Sequence, residues 1–289
     1  MAGDGHRRDA AVGGAARRSA ASRSRPPALK RYGQNHLVDA GTREAILALA
    51  RVGSHDIVLE VGAADGSLTR RLVEQAGLVH AFEIDRRFAT SLTAISGERE
   101  NLHVCLADAL RERLQDLEPA PTALVANLAY SIAIPLVMKT IAEVPSIGRW
   151  AVMVQRELGE RLFAAPRTKA YAAVSVLVQL ACELEARRPV PRTVFAPPPN
   201  VDSAFIVFTR RADWPSDRWV ALDRLVRSAF GQRRKLLLNS LSGAAHGGRA
   251  LSRDDVRRAL QTLGLPAQAR AEELAPPDFV RLAAALGWT

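Results

Sequence analysis

The chain has 289 residues, 48% of them apolar, which suffices for one catalytic domain and a small second one. No apolar run approaches a membrane span, so a soluble, cytoplasmic protein is expected, and a net charge of +10 with a pI near 10.6 points to a polyanionic partner. Cys105 and Cys182 stand isolated in apolar stretches without C-x-x-C spacing, and the histidines are scattered, so neither a disulfide framework nor a metal site is expected.

In chain order, Met1 to Arg31 hold eight Lys/Arg and two Asp, a net of +6 that leaves +4 for the remainder. This Arg/Ser/Ala-rich leader lacks the apolar core of a secretory signal. It reads as a solvated tail or a phosphate-binding arm, with an organelle transit peptide as the minor alternative. Gly41 to Arg51 carries Ile46, Leu47, Leu49 and Ala50 at helical spacing. Strands are expected at 57–61, 78–84, 102–107, 122–126 and 150–154. Helices over 68–75, 87–96 and 134–144, and a long one from Arg156, alternate with them. Alternation of this kind predicts a doubly wound α/β sheet of the Rossmann-like class, with its ligand at the carboxyl ends of the strands. Cys182–Arg187 and Phe205–Thr209 read as two further strands joined through the Pro-rich loop Phe195–Pro199. Past residue 212 the pattern turns helical, over 219–230, 233–241, 253–263 and 277–286, with a start signal at Ser252–Asp255. The expected division is therefore a basic tail (1–31), an α/β domain (32–211) and a small helical domain (212–289).

The chemistry concentrates at strand ends. Ile57-Val58-Leu59-Glu60-Val61-Gly62-Ala63-Ala64-Asp65-Gly66-Ser67 reads as a buried strand and a tight glycine turn leading into a helix. It fits neither G-x-G-x-x-G nor the phosphate loop, since Ser67 follows Gly66 where lysine would be required. The next strand, through Glu83-Ile84-Asp85, ends in an acid placed to hold ribose hydroxyls, and the third ends at Asp108, which can accept from an adenine amino group. Then comes Asn127-Leu128-Ala129-Tyr130, an amide that can accept an exocyclic N–H and a ring that can stack on an extruded base. Glycine turn, ribose acid, adenine acid and Asn-x-x-Tyr in this order point to S-adenosylmethionine rather than a nucleotide phosphate.

Several segments carry a resemblance. Gly33-Gln34-Asn35-His36-Leu37-Val38-Asp39, the Glu-Val-Gly turn, Asn127–Tyr130 and Val194-Phe195-Ala196-Pro197-Pro198-Pro199-Asn200-Val201-Asp202-Ser203 resemble the rRNA adenine dimethyltransferases, relatives of the Erm methyltransferases. Phe230–Lys235 and Arg270–Leu274 are similar to the KsgA-type branch. The resemblance implies an antiparallel hairpin at the sheet edge and S-adenosyl-L-methionine held by Asn35, Leu37, Gly62, Glu83, Asp108 and Asn127. It also implies a target adenine met by Asn127, the Leu128 carbonyl, Tyr130 and Phe195. Arg233, Arg234 and Lys235, three consecutive cations on an expected helix, read as RNA contacts, with a solvated helix face as the alternative. The implied activity is dimethylation of two adjacent adenosines in small-subunit rRNA by a monomer. The alternatives are an Erm-like enzyme of large-subunit rRNA and a non-catalytic assembly factor. Departures from the family pattern fall at His36, Ala64 and Ala129. His36 is expected to be a packed or solvent-edge residue rather than a base, and Arg156, Arg161, Arg167 and Lys169 form a second candidate RNA patch.

Overall fold

The computed structural model describes residues 26, 27, 29, 34–232 and 235–288, so nearly all of the basic tail lies outside the described residues. Strands β1 (Ile57–Val61), β2 (Leu78–Phe82), β3 (Leu102–Cys105), β4 (Ala123–Asn127), β5 (Arg149–Gln155), β6 (Cys182–Val190) and β7 (Ser203–Arg210) form one seven-stranded sheet, ordered β3-β2-β1-β4-β5-β7-β6. The first five run parallel, while β7 lies antiparallel to both β5 and β6. The expected sheet and its edge hairpin are therefore both present. Strand order reverses between β1 and β4, which opens a crevice at their carboxyl ends.

Side chains alternate between two cores because successive residues of a strand face opposite ways. Leu59, Val61, Leu124, Ala126, Trp150, Val152, Ile206 and Phe208 join one apolar cluster with helices α4 (Ala133–Glu143) and α6 (Ala173–Ala181). Val58, Val125, Ala151, Met153, Phe205 and Val207 join the other, with α1 (Ala40–Ala50), α2 (Thr69–Leu72) and α3 (Ala89–Glu98). Asp39 caps α1 by accepting from the Thr42 N–H at 2.6 Å. No described helix is long and apolar enough to cross a membrane.

Some boundaries differ from expectation. The helix starting at Arg156, α5, stops at Leu162, because Pro166 lies just ahead and Arg167 adopts φ +67°; α6 then begins at Ala173. The helix expected over 68–75 is regular only at Thr69–Leu72. Two short strands, His36–Leu37 and Phe195–Ala196, pair antiparallel and are too brief to carry a period.

Beyond β7 the chain is helical: α7 (Trp219–Phe230), α8 (Leu237–Ser240), α9 (Arg253–Thr262) and α10 (Pro276–Ala285), with a small hairpin at Ala245–His246 and Arg249–Ala250. The helix expected from 233 is thus confined to Leu237–Ser240 among the described residues. Ser252 and Asp255 cap α9 reciprocally, each side chain accepting the other's backbone N–H at 3.0–3.1 Å. Trp219, Leu222, Leu225, Phe279, Leu282 and Trp288 belong to the same apolar cluster as α4, α6 and the sheet, so the core crosses residue 212 unbroken. Arg210 stands at this joint. Its guanidinium donates to the carbonyls of Ile147, Ile141 and Val144 at 2.8, 3.1 and 3.0 Å, closing the end of α4. It also lies over the Trp150 and Trp214 rings at 4.9 and 4.2 Å.

Candidate active site

The turn after β1 is built by backbone conformation. Gly62 (φ +83°) donates its N–H to the Phe82 carbonyl at 2.8 Å. Gly66 (φ +78°) lets α3 press close, since a Cβ there would collide with Ile95 Cδ1. Between them Ala64 takes a left-handed φ of +49° and donates its N–H to Glu83 Oε2 at 2.7 Å. Glu83 Oε1 accepts from the Asp85 N–H at 2.8 Å, so one carboxylate ties the turn to the end of β2. Glu83 is buried, and desolvation raises its pKa against the opposing N–H bonds from Asp85 and Ala64. Asp108 is half-buried, and its Oδ1 accepts from the Leu110 N–H at 3.0 Å.

The segment before α1 crosses over this crevice. Gln34 Nε2 donates to Asp85 Oδ2 at 3.0 Å, and His36–Leu37 pairs with Phe195–Ala196. Asp85 is held well below the usual carboxylate range, first by the Arg87 side chain and also by Gln34. Asn127 Nδ2 donates to the Asn35 carbonyl at 3.1 Å. Since a carbonyl only accepts, this bond fixes which end of the amide is which and leaves Oδ1 as the acceptor for the crevice. The Leu128 N–H donates to the Met153 carbonyl at 3.1 Å, seating the turn on β5.

A cavity of about 350 Å³ joins these parts. Asn35, Gly62, Glu83, Asp108, Asn127, Leu128, Tyr130 and Phe195 all line it. Leu37 lies instead on a smaller adjoining recess with Gly62, Ala64 and Asn127, its backbone opposite Phe195. Lys235 is exposed and does not line the cavity, while Arg233 and Arg234 lie outside the described residues. In the second basic patch, Arg161 pairs with Glu157 at 2.9 Å, and Arg156 approaches Asp202 at 3.8 Å. His36 is buried edge-on against Phe88, centroids 5.7 Å apart, as a packed residue should be.

Sequence reading missed three residues here. Ile84, 44% exposed, lines the cavity between two acids; an apolar residue in that position was the available signal. Gln34 gave none, because its partner is distant in sequence. Glu60 was visible as an acid interrupting an apolar strand. It is 1% exposed and lines the adjoining recess, and its Oε2 has no hydrogen-bond partner among the described residues. Burial pushes its pKa up to about 8, with the nearby Thr69 hydroxyl opposing the rise and the carboxyls of Glu83 and Asp65 adding to it. No group of three or more His, Cys, Asp or Glu able to hold a metal ion occurs among the described residues.

Residues 27–281 match the family model described as Ribosomal RNA adenine dimethylase. The chain belongs to this family. Ribosomal RNA small subunit methyltransferase A of Rubrobacter xylanophilus is 44% identical over 257 residues, covering 89% of this chain and 94% of the relative. The protein of the same description from Corynebacterium efficiens is 38% identical over 270 residues, covering 89% and 90%. Among solved structures, a dimethyladenosine transferase from Plasmodium falciparum superposes with a TM-score of 0.74 at 26% identity, covering 88% of this chain and 99% of that one. The 23S rRNA methyltransferase ErmE does so with a TM-score of 0.64 at 29% identity, covering 88% and 100%. Membership in the ribosomal RNA adenine dimethylase family makes the chain a methyltransferase with an RNA substrate, and the cavity under the Asn127 turn is its candidate active site.

Proposed function

We propose that the protein transfers methyl groups from S-adenosylmethionine to the exocyclic amino groups of two adjacent adenosines in small-subunit rRNA, acting as a monomer on an immature subunit. One observation carries this reading: the glycine turn with its two carboxylates, and the Asn127 turn with its two rings, open onto one cavity. The curated relatives named for the small subunit, which match over most of both chains, support the choice of RNA.

The lining suits this cofactor. Among the described residues it contains no Lys or Arg to neutralise a phosphate, but offers Glu83 and Asp108 as acceptors for ribose hydroxyls and an adenine amino group, and Ile84 as an apolar face for the ring. The buried Glu60 carboxylate, in the recess that Leu37 also lines, suits the ammonium of the methionine portion, with Asn35 on the adjoining cavity. When bound, the cofactor supplies an electrophilic methyl on a sulfonium.

The protein's own task is to make a poor nucleophile react. An adenine amino nitrogen shares its lone pair with the ring. Asn127 Oδ1 accepts one amino hydrogen and the Leu128 carbonyl the other, which favours the pyramidal nitrogen over the conjugated one. Tyr130 and Phe195 hold the extruded base between their faces. Positioning and fixed dipoles supply most of the acceleration. A strong general base is unnecessary, because the methylated ammonium is acidic. Exposed cations outside the cavity, Lys235 among them, meet the RNA backbone.

Incubating the protein with methyl-labelled cofactor and each unmodified ribosomal subunit, then mapping the label, tests the proposal. Dimethyladenosine at adjacent small-subunit positions is expected. Label in the large subunit would assign the Erm-like activity, and binding without label would leave an assembly factor.

A further inference from the structure

We propose that Ser203 is a positioning residue for the target base, acting through Tyr130; this rests on the base-stacking role given to Tyr130 above. Tyr130 Oη and Ser203 Oγ lie 3.1 Å apart. Ser203 is 1% exposed, and its backbone sits in two ladders at once, opposite Gln155 of β5 and Val190 of β6. A hydroxyl on such a post cannot follow a moving ring, so the ring is drawn to it. Tyr130 itself stands half-buried on the turn after β4, with two side-chain torsions to fix. Anchoring the far end of the ring removes that freedom before a base arrives, and preorganisation of this kind lowers the cost of capture.

The same segment governs the opposite wall. Phe195 opens the Pro-rich loop and Ser203 closes it, and Phe195 is 4% exposed and paired with Leu37. Asp202, beside Ser203, accepts the Arg192 N–H through Oδ1 at 3.2 Å and the Arg156 N–H through its carbonyl at 3.0 Å, which fixes the loop's return. Both rings are thereby referred to one stretch of chain, and the gap between them is set by β7 and its loop. The amide that meets the amino group comes from β4 instead.

The test compares Ser203→Ala, Tyr130→Phe, the double variant and Tyr130→Ala. It reads single-turnover methylation of unmodified small subunits, affinity for S-adenosylhomocysteine by calorimetry, and thermal melting. Ser203→Ala and Tyr130→Phe should each slow the single turnover about three- to tenfold, the effect of one hydrogen bond. The double variant should be no slower than the slower single, since both remove the same bond. Cofactor affinity should stay within about twofold in all of them. Multiplying losses in the double variant, a parental rate in Tyr130→Phe, or a Ser203→Ala loss confined to cofactor affinity would each overturn the proposal. Tyr130→Phe decides the matter even if Ser203→Ala fails to fold. Tyr130→Ala at the parental rate would remove the stacking reading itself, whereas a large loss there beside multiplying single losses would remove only the role of Ser203.

Discussion

Replacing Glu83 and Asp108 one at a time by alanine should separate a carboxylate that builds the turn from one that only meets the ligand. Glu83 accepts two backbone N–H groups, from Ala64 at 2.7 Å and Asp85 at 2.8 Å, and holds Ala64 in its left-handed conformation. Hydrogen bonds to a charged group contribute about 1.5–3 kcal/mol each, but the raised pKa of Glu83 shows that burial takes back part of this. A net stability loss of roughly 2–3 kcal/mol follows for Glu83→Ala. Asp108, its side chain 32% exposed, holds one N–H and a loose contact to Arg111 at 3.5 Å, so Asp108→Ala should cost less than about 1 kcal/mol. Cofactor affinity should fall in both variants, by about tenfold to a hundredfold for Asp108→Ala and at least as much for Glu83→Ala, whose turn also relaxes. Urea titrations give the first quantity, and calorimetry with S-adenosylhomocysteine the second. Equal stability losses would refute the division of labour, and unchanged affinity in both folded variants would refute the cofactor's orientation.

Glu60 should make cofactor binding depend on pH. With its pKa near about 8 in the free protein, a cationic amine beside it must displace a proton below that pH. Affinity should therefore rise by up to about tenfold per pH unit and level off above it. Because the folded pKa is raised, the free protein should lose stability as pH climbs from the ordinary carboxylate range through about 8. Calorimetry in buffers of different ionisation heat reads the released proton; Glu60→Gln should abolish it, and pH-independent binding by the parent would sink the assignment. Asn127→Ala should cut the single-turnover rate at least a hundredfold while leaving subunit binding within a few-fold, and a near-parental rate would end the hydrogen-bond account. Arg210→Ala should destabilise by roughly 3–4 kcal/mol in urea, because three carbonyls lose their donor inside a half-buried joint; a loss under about 1 kcal/mol would contradict it. Truncation after Lys30 should weaken subunit binding at low salt but not at high salt, with cofactor affinity intact, and a salt-independent loss would refute a phosphate-binding arm.

Much of the sheet was legible because parallel strands covered on both faces read as largely apolar runs, as Ile57–Val61, broken only by Glu60, and Ala123–Ala126 ahead of Asn127 do. The cavity-lining residues at strand ends were legible for the same reason: Gly62, Glu83, Asp108 and Asn127 each follow or close such a run. What stayed hidden depends on partners far along the chain. Gln34 acquires a role only through Asp85, and Ser203 only through Tyr130, separated by 51 and 73 residues. The pairing of His36–Leu37 with Phe195–Ala196 is too short for any alternation to register. Pro166 was a visible signal that the helix from Arg156 had to stop, and the periodicity ahead of it was read too far.

The unbroken core across residue 212 bears on modularity. Side chains of α7 and α10 share one cluster with Leu177, Leu180 and the sheet face, so the helical part is a lid on the α/β part and not a bead beside it. Cutting the chain there would strip α6 of its cover and expose aromatic and aliphatic surface of the kind that drives aggregation. Grafting other C-terminal extensions onto this sheet therefore requires matching the buried face of α6 residue by residue, which limits how freely recombination can reshape the region after β7.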